Sequence, residues 1–231
     1  MFFFYDWTML LVLPGLLLAL YAQAKISSTY NRFSNIHARA GLTAAECARD
    51  ILQHGGAGDV RVERVAGTLT DHYDPREKVL RLSEGTYNST SIAALGVAAH
   101  EAGHALQDAQ DYAPLTFRSL FAPVASIGSN AAVPLFMLGL LFSWEPLVKI
   151  GLICFALAVV FSLVTLPVEF NASSRALHIL TDGGYLTVDE NEGAKKVLSA
   201  AALTYVASAL TAILQFLRLL MISGVGRRRN D

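Results

Sequence analysis

Five consecutive residues, His100-Glu101-Ala102-Gly103-His104, have the types and the spacing for metal-assisted hydrolysis. Residues four apart in an α-helix lie one turn above each other on the same face, so two imidazoles at that spacing can share one ion. Zinc takes neutral imidazole nitrogen at about 2.0–2.1 Å and in catalytic sites keeps a position open for water. A carboxylate directly after the first histidine, Glu101, is placed to reach that water as general base. The competing reading is a pair of histidines satisfied inside an apolar core. The flanks argue against it. Ala98, Ala99, Ala102 and Ala105 keep the helix slim, and Gly103 weakens a helix by about 1 kcal/mol relative to alanine, which makes sense where a neighbour must come close on the metal side.

Catalytic zinc has three protein ligands, so two histidines leave one to find. The extended pattern that supplies a third histidine needs glycine at position 107 and histidine at 110, and both Gln107 and Gln110 break it. Asp108 shares the face of the motif but stands two turns beyond His100, roughly 12 Å along the axis, too far to join both histidines on one ion. The third ligand must come from another element.

Those elements are set by composition. Of 231 residues 53% are hydrophobic and 16% charged, which favours a membrane protein. A net charge of −1 leaves no electrostatic footprint for nucleic acid, and the one tight basic run is Arg227 to Arg229. Cys47 and Cys154 are far apart and read as free thiols rather than a disulfide or a metal cluster. Spanning hydrocarbon as a helix takes about 20 apolar residues. Four stretches qualify: Trp7 to Ala24, Ser119 to Trp144, Ile150 to Val168, and Val197 to Leu217, with Arg218 able to snorkel. The first carries Asp6 before it and no basic flank, so it reads as a retained anchor rather than a signal peptide.

Only Glu145 to Lys149 joins the second and third stretches, which predicts an antiparallel hairpin that returns the chain to the side it left. Glu145 then lies on the far side, whereas Glu169 emerges beside His100 and is the carboxylate within reach. Its alternative is an interfacial carboxylate paired with Arg175.

The polar region from Lys25 to Arg118 holds the motif. Thr43 and Glu46 form a capping box and Gly55-Gly56 a stop, giving a helix over 44–54. Val60 to Val65 and Lys78 to Ser83 alternate as strands, with Asp74-Pro75 as the turn between them. Ser89, Thr90 and Ser91 offer N-caps for the motif helix, running to about Gln110. The strand over 78–83 could offer an edge to an extended substrate, or be purely structural.

Val97 to Ala105, Pro167 to Ala176 and Ala200 to Ala207 together resemble the bacterial YugP-like neutral zinc metallopeptidases, and Gly41-Leu42-Thr43 and Tyr73-Asp74-Pro75 extend the likeness over most of the chain. The HtpX-like and CAAX prenyl proteases are more distantly similar. The resemblance implies a zinc peptidase of gluzincin type, with Glu169 as third ligand. Those families place aspartate four residues after that glutamate, where this chain has Ser173, so the group that orients a ligand histidine must differ, with Ser173 or Asn171 in its place. Arg175, His178, Tyr87 and Tyr205 have suitable chemistry for an oxyanion donor, and Arg175 is the candidate.

The expectation is a mainly α, multi-pass membrane protein with about four transmembrane helices and a small α+β, zincin-like catalytic region at the membrane surface. Residues 1–24 form the anchor, 25–118 the catalytic region, 119–168 the hairpin, 169–196 the helix with the third ligand, and 197–231 the last helix and basic tail. One zinc ion per chain, held by His100, His104 and Glu169, would serve hydrolysis of a peptide or membrane-protein substrate with Glu101 as base. The rival is a membrane scaffold with a structural zinc. An intramembrane position for the motif is excluded, because polar flanks at Asn88 to Ser91 and Gln107 to Asp111 leave too short an apolar run. Lysine and arginine flanks place the site on the cytoplasmic side.

Overall fold

The computed structural model describes residues 7–224. Asp6 and the basic tail Arg227–Arg229 lie outside the described residues. The protein is mainly α with a small α+β region: α1 (Met9–Phe33), α2 (Ala44–His54), β1 (Arg61–Val65), β2 (His72–Asp74), β3 (Val79–Ser83), α3 (Glu84–Tyr87), α4 (Ile92–Ala109), α5 (Ala113–Leu141), α6 (Glu145–Asp182) and α7 (Val188–Ser223). Helices α1, α5, α6 and α7 are each long and apolar enough to cross a membrane. Many of their large apolar side chains are exposed, among them Leu17, Leu120, Leu141 and Ile153, which suits a lipid solvent and not water.

All four exceed the apolar stretches that mark them. α6 continues 14 residues beyond Val168 because its polar extension still buries apolar side chains at helical spacing, Ala172, Ala176 and Leu180. Between α5 and α6 only Phe142 to Trp144 lie outside the helices, and Glu145, expected in the loop, opens α6 as its first-turn acid. The hairpin itself is tight. A Cβ at Gly151 would sit 2.7 Å from the Phe136 nitrogen, so glycine is what lets the two backbones meet.

The chain forms two compact units. One, residues 7–22, 117–166 and 204–224 among those described, holds the apolar helices. Within it Phe136, Val148, Leu152 and Leu219 form the core. The other comprises Gln23–Thr116 and Pro167–Leu203 and carries the sheet and the motif. Here the capping box forms as expected: Thr43 Oγ1 accepts from the Glu46 amide, and the Glu46 carboxylate accepts from the Thr43 amide at 2.8 Å. Ala48, Ile51 and Leu52 of α2, Leu80 and Leu82 of β3, Leu95, Ala98 and Ala102 of α4, and Leu180 of α6 share its core.

The sheet order is β1-β3-β2, with β1 parallel and β2 antiparallel to β3. The Asp74-Pro75 turn therefore joins β2 to β3, and β2 is a strand that alternation does not reveal. It is three residues long. Since β3 is central, both its edges are hydrogen-bonded and it cannot receive a substrate as an added strand, contrary to the edge expected there.

Candidate metal centre

Helix α4 starts where Ser91 caps it, its Oγ accepting from the Ala94 amide, and it brings His100 and His104 onto one face as the four-residue spacing requires. The two rings pack edge to face with centroids 4.8 Å apart. Across from them α6 presents Glu169, 3% exposed, whose Oε2 lies 3.3 Å from His100 Nε2 and 3.6 Å from His104 Nε2. The ligand atoms of all three residues fall within 4.8 Å of one another. The close approach is made at Gly103: a Cβ there would stand 2.8 Å from the Ala172 carbonyl oxygen, so any larger residue would push α6 away.

Both imidazoles are oriented from behind. Ser173 Oγ lies 3.1 Å from His100 Nδ1, and Gln107 Oε1 lies 3.0 Å from His104 Nδ1. With each Nδ1 engaged by an oxygen, each Nε2 is left facing Glu169. Gln107 is fully buried, and its Nε2 donates to the Val168 carbonyl and to Asn171 Oδ1, both at 2.9 Å. Asn171 in turn accepts from Arg175 Nε at 2.8 Å, and Arg175 also donates to Gln110 Oε1 at 2.5 Å. The guanidinium thus goes to Asn171 and Gln110, while Glu169 lies against the two histidines. Gln107 enters the sequence reading as the residue that excludes a third histidine and as a polar flank of the motif helix, not as a partner of His104. Its position three residues after His104 was the available signal, since i and i+3 share a helix face.

Glu101 follows His100 on α4 and is half-buried. Asp108 is turned elsewhere: its Oδ2 accepts from Lys78 Nζ and from the Tyr73 hydroxyl, each at 2.8 Å, tying the sheet to the end of α4. The bond to Asp108 raises the Lys78 pKa, and burial with the same carboxylate raises that of Tyr73. Of the other oxyanion candidates, Tyr87 accepts from Arg49, His178 lines a cavity of about 430 Å³ with Asp50 and His54, and Tyr205 belongs to the apolar unit.

Two imidazole nitrogens and one carboxylate oxygen form a donor set of the kind zinc prefers. Separations of 3.3 and 3.6 Å bracket the roughly 3.4 Å that two ligands keep on a tetrahedral zinc at bond lengths of about 2.0–2.1 Å. The family model described as "Putative neutral zinc metallopeptidase" matches residues 8–224, and the chain belongs to this family. Over 220 residues, 95% of this chain and 98% of the relative, it is 48% identical to a protein of Bacillus subtilis (strain 168) named "Putative membrane protease YugP". No solved structure matches the chain. The family expected from the motifs is the one found. It makes zinc the cofactor and supports peptidase activity.

Proposed function

We propose that the protein hydrolyses peptide bonds at a membrane surface, with zinc held by His100, His104 and Glu169 and with Glu101 as general base. The observation that carries this reading is the convergence of three ligand atoms within 4.8 Å while both histidine Nδ1 atoms are engaged by Ser173 and Gln107. When bound, zinc supplies a Lewis acid that lowers the pKa of water toward about 7 and polarises the scissile carbonyl. Glu101 takes a proton from the attacking water and later delivers it to the leaving amine. Glu169 brings an anion to the ligand set, and Ser173, Gln107 and Asn171 hold the donors in register. Arg175, fixed by Asn171 and Gln110, is proposed as the cation that steadies the developing oxyanion.

Three ligands among the described residues favour catalysis over a scaffold role, since structural zinc takes four. Four helices long and apolar enough to cross a membrane, with polar flanks on a motif helix too short in its apolar run to span one, support a site at the membrane surface acting on peptide or membrane-protein substrates. The functional division follows: anchor 1–24, catalytic segments 25–118 and 169–196, hairpin 119–168, and last helix with its tail 197–231. Lys25, Arg32, Arg39, Arg118, Arg175, Lys195 and Lys196 flank the spans on the motif side, against Lys149 and the terminal three arginines, so the catalytic side is proposed as cytoplasmic. A reporter fused to the C-terminus tests that orientation. The mechanism is tested by Glu101→Gln, which should keep its zinc and lose about 10² to 10⁴ in turnover of a peptide library. Near-normal turnover would assign the base elsewhere.

A further inference from the structure

Away from the metal centre, α1 and α7 line an open cavity of about 520 Å³. Each helix gives it one face at i, i+3, i+4 and i+7: Lys25, Ser28, Thr29 and Arg32 from α1, then Glu192, Lys195, Lys196 and Ser199 from α7. Four cations and one carboxylate leave the lining at +3. Glu192 is matched within its own helix by Lys195, 3.4 Å away. All four cations are exposed; Lys195 meets Glu192, the Arg32 guanidinium lies 5.5 Å from the ring centroid of Phe33, which also lines the cavity, and nothing in the metal centre uses them. Hydroxyls of Thr29 and Ser199 add neutral donors among them, while that of Ser28 already donates to the Lys25 carbonyl. Cations interleaved with hydroxyls suit the oxygens of a phosphate.

Position along the helices narrows the source of that phosphate. The apolar run of α1 ends at Ala24, one residue before Lys25, and that of α7 begins at Val197, one residue after Lys196. Lys25 and Lys196 therefore stand at the polar ends of these apolar runs, the level at which basic pockets between helices meet anionic lipid, and Arg32 lies about two turns further along α1. We propose that this cavity binds the phosphate of an anionic phospholipid headgroup. It needs neither zinc nor the peptidase reading.

The test uses the full chain in neutral detergent, titrated with short-chain phosphatidylglycerol, short-chain phosphatidylcholine and inorganic phosphate, with melting temperature and native mass spectrometry as readouts. Phosphatidylglycerol should bind saturably and raise the melting temperature, phosphatidylcholine should not, and inorganic phosphate should compete only weakly. Replacing two cations, Arg32→Gln with Lys196→Gln, should weaken phosphatidylglycerol roughly thirtyfold, about fivefold for each, while Lys149→Gln leaves it unchanged. Both side chains are exposed, so the double variant should keep its fold and zinc content. Equal retention of the two lipids, or wild-type affinity in the folded double variant, would overturn the proposal. Inorganic phosphate binding as tightly as the anionic lipid would overturn the lipid source.

Discussion

Gln107 joins two segments 61 residues apart through one amide, with its oxygen on His104 and its nitrogen on the Val168 carbonyl and Asn171. A buried amide with its partners satisfied on both ends fixes a ring more firmly than a hydroxyl can, so we propose Gln107 as a positioning residue for His104 as Ser173 is for His100. Replacing it by leucine should cost about 10- to 100-fold in zinc affinity, measured by competition with a chelator, while Gln107→Glu, which keeps an acceptor for His104 Nδ1, should recover part of it. A leucine variant with unchanged affinity would remove Gln107 from the site. Cys47 allows a separate check on the core. Burial pushes its thiol up to about 12, so at neutral pH it should resist alkylation in the folded protein and react only on unfolding, as peptide mass mapping in a Cys154→Ser background would reveal.

Helix α2 depends on one local device, and local devices are what a sequence displays best. Its capping box lies within four residues, so Thr43, Glu46 and the following glycines gave both boundaries. Thr43→Ala should cost about 1 kcal/mol in a denaturant titration. Hydrogen bonds from Thr43 hold the Glu46 carboxyl below its usual range, so its stabilising effect is present above the ordinary carboxylate pKa and disappears as pH falls through the lowered value. The destabilisation by Glu46→Ala should therefore be full at pH 7 and vanish in acid; a pH-independent difference would contradict the cap. Other elements rest on distant partners. The three-residue β2 has too few positions to display a period, and pairing of β1 with β3 is parallel, which no turn encodes. The motif helix was legible because His100, His104 and Gly103 carry chemistry and a packing constraint together. Gly103→Ala tests the second: alanine favours the helix by about 1 kcal/mol, but its methyl would meet the Ala172 carbonyl. Overpacking costs about 1–3 kcal/mol, so the variant should melt lower and bind zinc more weakly. A higher melting temperature would mean that α6 yields freely.

Across the whole chain, the residues that meet at the centre come from two segments with an apolar hairpin between them in sequence. Ser173 and His100 are 73 positions apart. Composition announced the long helices, and the short link between the second and third predicted that Glu169 would return toward the histidines. The polar extension of α6 escaped the same reasoning, because hydropathy marks where a helix can meet lipid and is blind to where its hydrogen bonds continue. A chain ending after Leu166 should lose zinc although both histidines remain, and full-length Glu169→Gln, which alters one group only, should lose affinity while its helical circular dichroism is kept. Wild-type zinc content in either would separate the centre from α6. An anomalous difference map recorded at the zinc edge from crystals of the purified full-length protein tests the metal centre most directly. One peak per chain is expected, about 2.0–2.2 Å from His100 Nε2, His104 Nε2 and a Glu169 carboxylate oxygen, with no fourth protein ligand. A peak elsewhere, or one at the histidines with Glu169 turned away and another side chain in its place, would contradict it.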